Sequence, residues 1–196
     1  MTAKCFWERF EKICKDEELK DKWNNTKKFT NRMLELLEYV VKEDNSIIEH
    51  EYFRIDLITY KDTKTQTSLG YLKNYSWDLL SAIEHENDSR LWVDEVVKLA
   101  HISARLRVVI GYMPLSEKQN QQKYIDEVSY VINDIMAWKQ TRENEFLIII
   151  GDSKVSEINQ RCNYTPYIYK KDEERFLPLY HYRFSSTNIN RYGNNN

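Results

Sequence analysis

Apolar residues recur along this chain with two periods, and each change of period marks a new element. Phe6, Trp7, Phe10, Ile13 and Cys14 fall at helical spacing and predict a helix over 2–15, within an N-terminal segment reaching to residue 28. The charged run Lys15–Lys22 that follows reads as a solvated face or a linker. A second helix is clearer. Met33, Leu34, Leu37, Val40 and Val41 form one stripe, Thr30 or Asn31 is its expected cap, and Glu35 and Glu38 occupy its polar side.

The period then shortens to two. Tyr52–Tyr60 alternates and is rich in β-branched and aromatic residues, which predicts a strand. Residues 61–70 form a polar loop ending in Gly70, and a further strand is expected around Gly70–Tyr75. Trp77–Glu86 reads as the next strand, stopped at Asn87–Ser89, where Asp88 or Ser89 would cap the following helix. That helix, Leu91–Ile102, carries Trp92, Val96 and Leu99 on one stripe, with Val93, Val97 and Ala100 beside it. Leu106–Tyr112 is the unbroken apolar run of a strand covered on both faces.

Ser116 with Gln119 predicts a capping box for a long helix bearing Ile125, Val128, Ile132 and Ile135. Phe146–Ile150 is another buried strand, so 106–150 forms a right-handed crossover and part of the sheet is parallel. Tyr164–Lys170 and Phe176–Phe184 predict a tyrosine-rich strand pair within an extension over 160–186. Asn188–Asn196 is expected to be disordered. The pattern as a whole predicts an α/β chain with a mixed sheet between helices.

Composition narrows the class. In 196 residues, 41% hydrophobic content is too much for a disordered chain, and 31% charged residues are too many for a membrane protein. The length fits one domain, with its core over about 31–150. Only 4 glycines and 3 prolines imply long elements joined by polar loops. Three cysteines, Cys5, Cys14 and Cys162, suit a reducing compartment, and Met1–Lys4 leads into no signal-peptide core, so the expectation is cytoplasmic with no membrane partner. Residues 31–152 hold 14 basic and 21 acidic residues, whereas both ends are mildly basic. An acidic centre with basic flanks suits a metal site beside polyanion contacts, and equally suits ordinary scatter.

Three acids resist explanation as filler. Asp56 interrupts the apolar run Ile55–Ile58, and Glu84 and Glu86 end a strand of buried residue types. Positions two apart on a strand share a face, so Glu84 and Glu86 project together and His85 faces away. Carboxylates so placed repel unless a cation lies between them. Hard divalent ions such as Mg²⁺ take one or two carboxylates plus substrate phosphate. The competing reading is a strand emerging into water with both acids solvated.

The order of these elements resembles the PD-(D/E)XK nuclease superfamily, which includes type II restriction endonucleases. An acidic helix (Glu35, Glu38) precedes a strand with Asp56 and a strand ending Glu84-x-Glu86. A helix and the buried strand Leu106–Tyr112 come after them. The family's core runs helix, three strands, helix, strand, and the resemblance spans roughly residues 31–112. It implies a restriction-endonuclease-like sheet flanked by helices and a Mg²⁺-dependent endonuclease, with Mn²⁺ substituting. It also implies a double-stranded DNA substrate and a possible homodimer. Asp56 and Glu84 would be primary metal ligands, Glu86 would take a second ion or a proton, and Glu38 or Glu35 would anchor the metal's water shell.

The motif departs from the family pattern in two places. Ile55 stands at the proline position and Glu86 at the lysine position. Lys98, in Glu95-x-x-Lys98, offers a migrated catalytic lysine, and its other reading is an intrahelical partner of Asp94. Glu86 in place of lysine also keeps open a non-catalytic protein that uses the fold to bind nucleic acid or protein.

Weaker signals are read as structural. Ile-Glu-His-Glu occurs at 48–51 and 83–86, but neighbouring residues on a strand face opposite ways and no HExxH appears. Gly151-Asp152-Ser153 reads as a turn after a strand, and His101 as a packed or capping residue. In the tail, Arg161, Lys170, Lys171, Arg175 and Arg183 lie among tyrosines. Such a pattern suits nucleic-acid binding and also suits a sheet extension with its tyrosine hydroxyls at the rim.

Overall fold

A computed structural model describes residues 1–16, 26–61, 78–88, 91–140, 144–152 and 164–179. Seven strands form one sheet in chain order: β1 (Ile47–Tyr52), β2 (Ile55–Lys61), β3 (Asp78–His85), β4 (Leu106–Met113), β5 (Glu145–Asp152), β6 (Tyr164–Lys170) and β7 (Arg175–Pro178). Strands β3, β4 and β5 are parallel, and the other neighbours are antiparallel. The sheet is mixed, as the crossover over 106–150 predicts.

Two layers of helix cover it. On one face, α1 (Ala3–Asp16) and α2 (Thr26–Val41) bury Phe6, Phe10, Phe29, Met33 and Leu37 against Leu57, Ile83, Val108 and Ile149. Arg9 ties the two helices by donating to the carbonyls of Val40 (3.1 Å) and Lys42 (3.3 Å), groups the end of α2 leaves without helical partners. On the other face, α3 (Trp92–Ala100), α4 (Gln121–Asn133) and the short α5 (Met136–Lys139) pack over Ile58, Ala82, Val109, Ile148 and Tyr167. Every residue of β4 is buried, because both its faces are covered. Among the described residues no helix is long and apolar enough to cross a membrane.

The close seat of α3 on β4 depends on Gly111. A Cβ there would lie 2.5 Å from the Trp92 Cβ, and Trp92 is buried and starts the helix. Gly111→Ala is expected to lower the unfolding free energy by about 1–3 kcal/mol, the usual cost of overpacking a core. Urea denaturation would show it as a reduced midpoint at unchanged slope. Arg107, fully buried, closes the far end of α3 by donating to the carbonyls of Leu99 (2.9 Å), Ile102 (2.8 Å) and Ala104 (3.1 Å). Its guanidinium also lies 4.9 Å from the Trp138 ring centre. Burial lowers its pKa to about 10, still well above neutrality, so it keeps its charge.

Several boundaries differ from the pattern reading. The single strand expected over Tyr52–Tyr60 is a hairpin that reverses at Phe53-Arg54, where both residues have positive φ (49° and 63°). That is the φ pattern of a type I′ turn, normally signalled by Asn or Gly, so alternation alone runs straight through it. Helix α2 starts at Thr26, which makes Thr30 an interior residue that accepts a hydrogen bond from Asn87. Leu91, not Asp88, is the N-cap of α3, and it makes no side-chain cap. A 3₁₀ turn over Leu115–Asn120 replaces the predicted capping box, and α4 ends at Asn133, before the extended residue Ile135. The strand expected at Gly70–Tyr75, the run Lys15–Lys22 beyond Asp16, Ser89 and the tail from residue 180 lie outside the described residues.

Candidate active site

The candidate acids sit where the β2–β3 pair meets α3. Ile58 opposes Ala82 and Leu57 opposes Ile83, so extending the register by one residue places Asp56 opposite Glu84. Both share the face of Ile58 and Ala82, beneath α3. Directly opposed residues have Cβ atoms about 4.5–5.5 Å apart. Asp56 Oδ2 accepts the backbone N–H of His85 at 2.7 Å, which fixes its carboxylate across the strand gap. Glu84 is only 3% exposed.

Helix α3 supplies the countercharge. Lys98 Nζ lies 2.7 Å from Glu84 Oε1, also contacts Glu95 one turn earlier, and donates to the carbonyl of Arg54 at 3.0 Å. The charge contact to Glu84 is direct. The expected Asp94 partner is replaced by Glu95, because i,i+3 brings Glu95 onto the side of α3 that faces Glu84.

Charge explains the protonation behaviour. Three carboxyl groups, Asp56, Glu84 and Glu95, interact with the one ammonium of Lys98 in a partly buried place. Burial chiefly, with help from Asp56 and Glu95 against the Lys98 contact, pushes Glu84 from 4.5 up to about 8. Burial also raises Asp56, against the lowering effect of the His85 N–H. Burial by itself would lower Lys98, but its contacts with Glu84 and Glu95 outweigh that, so its pKa rises and it stays charged.

The other expected site residues are elsewhere. Glu86 Oε1 accepts the N–H of Asp88 at 2.7 Å in the turn after β3. Glu38 lies on α2, across the sheet, 2.8 Å from His50 Nε2, and Glu35 pairs with Arg32 at 2.7 Å on the surface. Among the described residues no group of three or more His, Cys, Asp or Glu side chains is arranged to hold a metal. His85 faces away from Glu84, as alternation predicts. It is buried against Phe29 with Nε2 2.9 Å from the Tyr112 hydroxyl, and burial lowers its pKa to about 3.

The basic tail is not beside this site. Lys170 and Arg175 are paired at the β6–β7 turn, three strand spacings from β3, or roughly 14 Å sideways. That turn extends past the N-terminal end of β5, whereas Asp56 and Glu84 lie at the C-terminal end of β3. Arg175 pairs with Glu173 at 2.8 Å, and Lys171 lies 5.2 Å from the Trp138 ring centre. The aromatics there are core: Tyr169 and Phe176 pack edge-on 5.2 Å apart, and Trp138 lies 5.1 Å from Tyr169. Arg161 and Arg183 fall outside the described residues.

Sequence reasoning missed Glu95, the Arg54 carbonyl and the His85 N–H. Only Glu95 left a trace, its spacing to Lys98. Comparison of the chain with protein-family models, curated proteins and solved structures finds no match.

Proposed function

We propose that the protein is a Mg²⁺-dependent endonuclease of restriction type that hydrolyses DNA phosphodiester bonds, with Asp56, Glu84 and Lys98 at its centre. The observation that carries this reading is their convergence. Asp56 and Glu84 oppose each other on adjacent antiparallel strands, and Glu84 lies 2.7 Å from a lysine of the next helix. The element order α2, β1, β2, β3, α3, β4 also runs helix, three strands, helix, strand, as in the PD-(D/E)XK superfamily.

The donor set fits a divalent cation held by two carboxylates rather than three. Asp56 and Glu84 are hard oxygen donors on one face, and three carboxyl groups share the one ammonium of Lys98. Mg²⁺ held by Asp56 and Glu84 would neutralise charge on the phosphate and lower the pKa of its water. The chain's own groups do the rest. The His85 N–H holds the Asp56 carboxylate in place. Glu84 would hold the ion as a carboxylate, opposite Asp56. Lys98, tethered by Glu95 and the Arg54 carbonyl, keeps a positive charge beside the reacting phosphate.

A second reading is a non-catalytic nucleic-acid or protein binding module. Glu86, turned into its own loop where the motif has lysine, favours it. Incubation of supercoiled plasmid separates the two. The nuclease reading expects nicked and linear products with Mg²⁺ or Mn²⁺ and none in EDTA. Intact plasmid in both metals would leave the binding module. A homodimer, suited to cutting both strands, would appear as linear product forming directly from supercoiled plasmid.

A further inference from the structure

The β1–β2 hairpin tip presents an exposed ring and an exposed guanidinium beside the candidate site. Glu51, Phe53 and Arg54 all have positive φ (56°, 49° and 63°), a conformation that side chains other than glycine rarely hold. At Phe53 and Arg54 it is the backbone of the type I′ turn, imposed by the pairing of β1 with β2, and it sets both residues at the tip. Phe53 is 79% exposed, with the Tyr52 ring edge-on at 4.5 Å behind it. A bulky ring held in water on a strained turn adds nothing to a core.

The tip is also joined to the candidate site. The Arg54 carbonyl accepts Lys98 at 3.0 Å, while the Arg54 side chain is exposed and has no ion pair among the described residues. Three Cα-to-Cα steps lead from Phe53 to Asp56, so their Cα atoms are at most about 11 Å apart. That is the length of about three nucleotides along a stacked strand. A π-face, an exposed guanidinium and two carboxyl groups thus lie within a few nucleotides of one another.

We infer that this tip is a nucleic-acid contact. Phe53 stacks on an unpaired base near the scissile phosphate, and Arg54 takes a neighbouring backbone phosphate. The inference rests on the nuclease reading for the scissile phosphate alone, because stacking and phosphate contact need no cutting. Within a DNA substrate it makes a site with an unstacked base near the cut the tightest-binding one. An aromatic face tolerates any base, so the contact selects strand state and not sequence.

The test is binding in EDTA, where no cleavage occurs. Fluorescence anisotropy follows a labelled single strand, a bulged duplex and a matched duplex of the same sequence, and 2-aminopurine in the bulge reports stacking. The parent is expected to bind the single strand and the bulge more tightly than the matched duplex, and to quench 2-aminopurine. Phe53→Ala should weaken single-strand binding about tenfold and abolish the quenching, and Phe53→Trp should restore both. Arg54→Ala should weaken all three and reduce the salt slope by about one phosphate contact. Tyr130→Ala removes an equally exposed ring on α4 and should change nothing.

Equal effects of Phe53→Ala and Tyr130→Ala, tighter binding of the matched duplex, or no binding by the parent would each overturn the inference. The two readings fail separately. Metal-dependent cutting with Phe53→Ala binding unchanged removes the hairpin contact and keeps the nuclease. Phe53-dependent binding without cutting in any metal keeps the hairpin contact and removes the nuclease.

Discussion

Asp56→Asn and Glu84→Gln are each expected to reduce Mg²⁺-dependent DNA cleavage by about 10³-fold or more. Each keeps the side chain's shape and removes one of two anionic oxygen donors, and charge stabilisation at a transferring phosphoryl group amounts to several kcal/mol. Lys98→Met should lose activity by about 10²-fold, the scale of a single transition-state electrostatic contact. Its stability should change less, because Lys98 is a third exposed and its pairs with Glu84 and Glu95 are partly solvated. Glu86→Gln and Glu38→Gln sort the remaining acids. Glu86 is bonded in its own turn and Glu38 lies across the sheet, so both variants should retain most of the parent rate. Single-turnover cleavage with melting curves as a folding control measures all five. Full activity in both Asp56→Asn and Glu84→Gln would end the catalytic assignment, and loss of activity only in Glu86→Gln would move the centre into the turn after β3.

The metal-free protein is expected to lose stability as pH rises toward 8, and Glu84→Gln should remove much of that loss. An unfolded glutamate titrates near 4.5, and Glu84 in the folded chain near 8. Its folded pKa is raised, so its contribution is full below about 4.5 and is lost as pH climbs through about 8. Asp56, also raised, acts in the same sense. Each unit of displacement corresponds to about 1.4 kcal/mol, so the swing from Glu84 is on the order of a few kcal/mol.

His85 runs the other way. Its pKa falls from 6.5 to about 3, so its contribution is present above 6.5 and is lost as pH falls toward 3. The difference between parent and Glu84→Gln, followed from pH 5 to 9 in EDTA, isolates the carboxyl. The variant should melt near the parent at pH 5 and above it at pH 9. Added Mg²⁺ should raise the parent's melting temperature more than the variant's, by mass action on a folded-state site. A variant less stable at every pH would show Glu84 to be an ordinary structural partner of Lys98. A difference flat across the range would show that Glu84 keeps its charge throughout.

Much of the fold was legible before any coordinates, because burial leaves a periodic mark. The stripes on α1, α2 and α3, the unbroken apolar runs of β4 and β5, and the crossover between them follow from which positions must avoid water. The opposite facing of Glu84 and His85 follows from strand alternation in the same way. Asp56 and Glu84 stood out because a carboxyl inside an apolar run opposes the pattern around it.

What the sequence leaves open depends on contacts between distant residues or on backbone conformations that side-chain type signals weakly. The turn at Phe53-Arg54 carries no glycine or asparagine, so its reversal is imposed by β1 and β2 pairing rather than by local preference. Glu86 shares the parity of Glu84, yet β3 ends at His85 and the chain turns, so parity no longer decides where its carboxylate points. Arg107 looks like one more charged residue until the end of α3 is folded over it. Lys98 had two readings of equal standing on the helix. Only the register of β2 with β3, and the seat of α3 on Gly111, bring its ammonium to Glu84, because an ion pair between distant elements exists only once both have been placed.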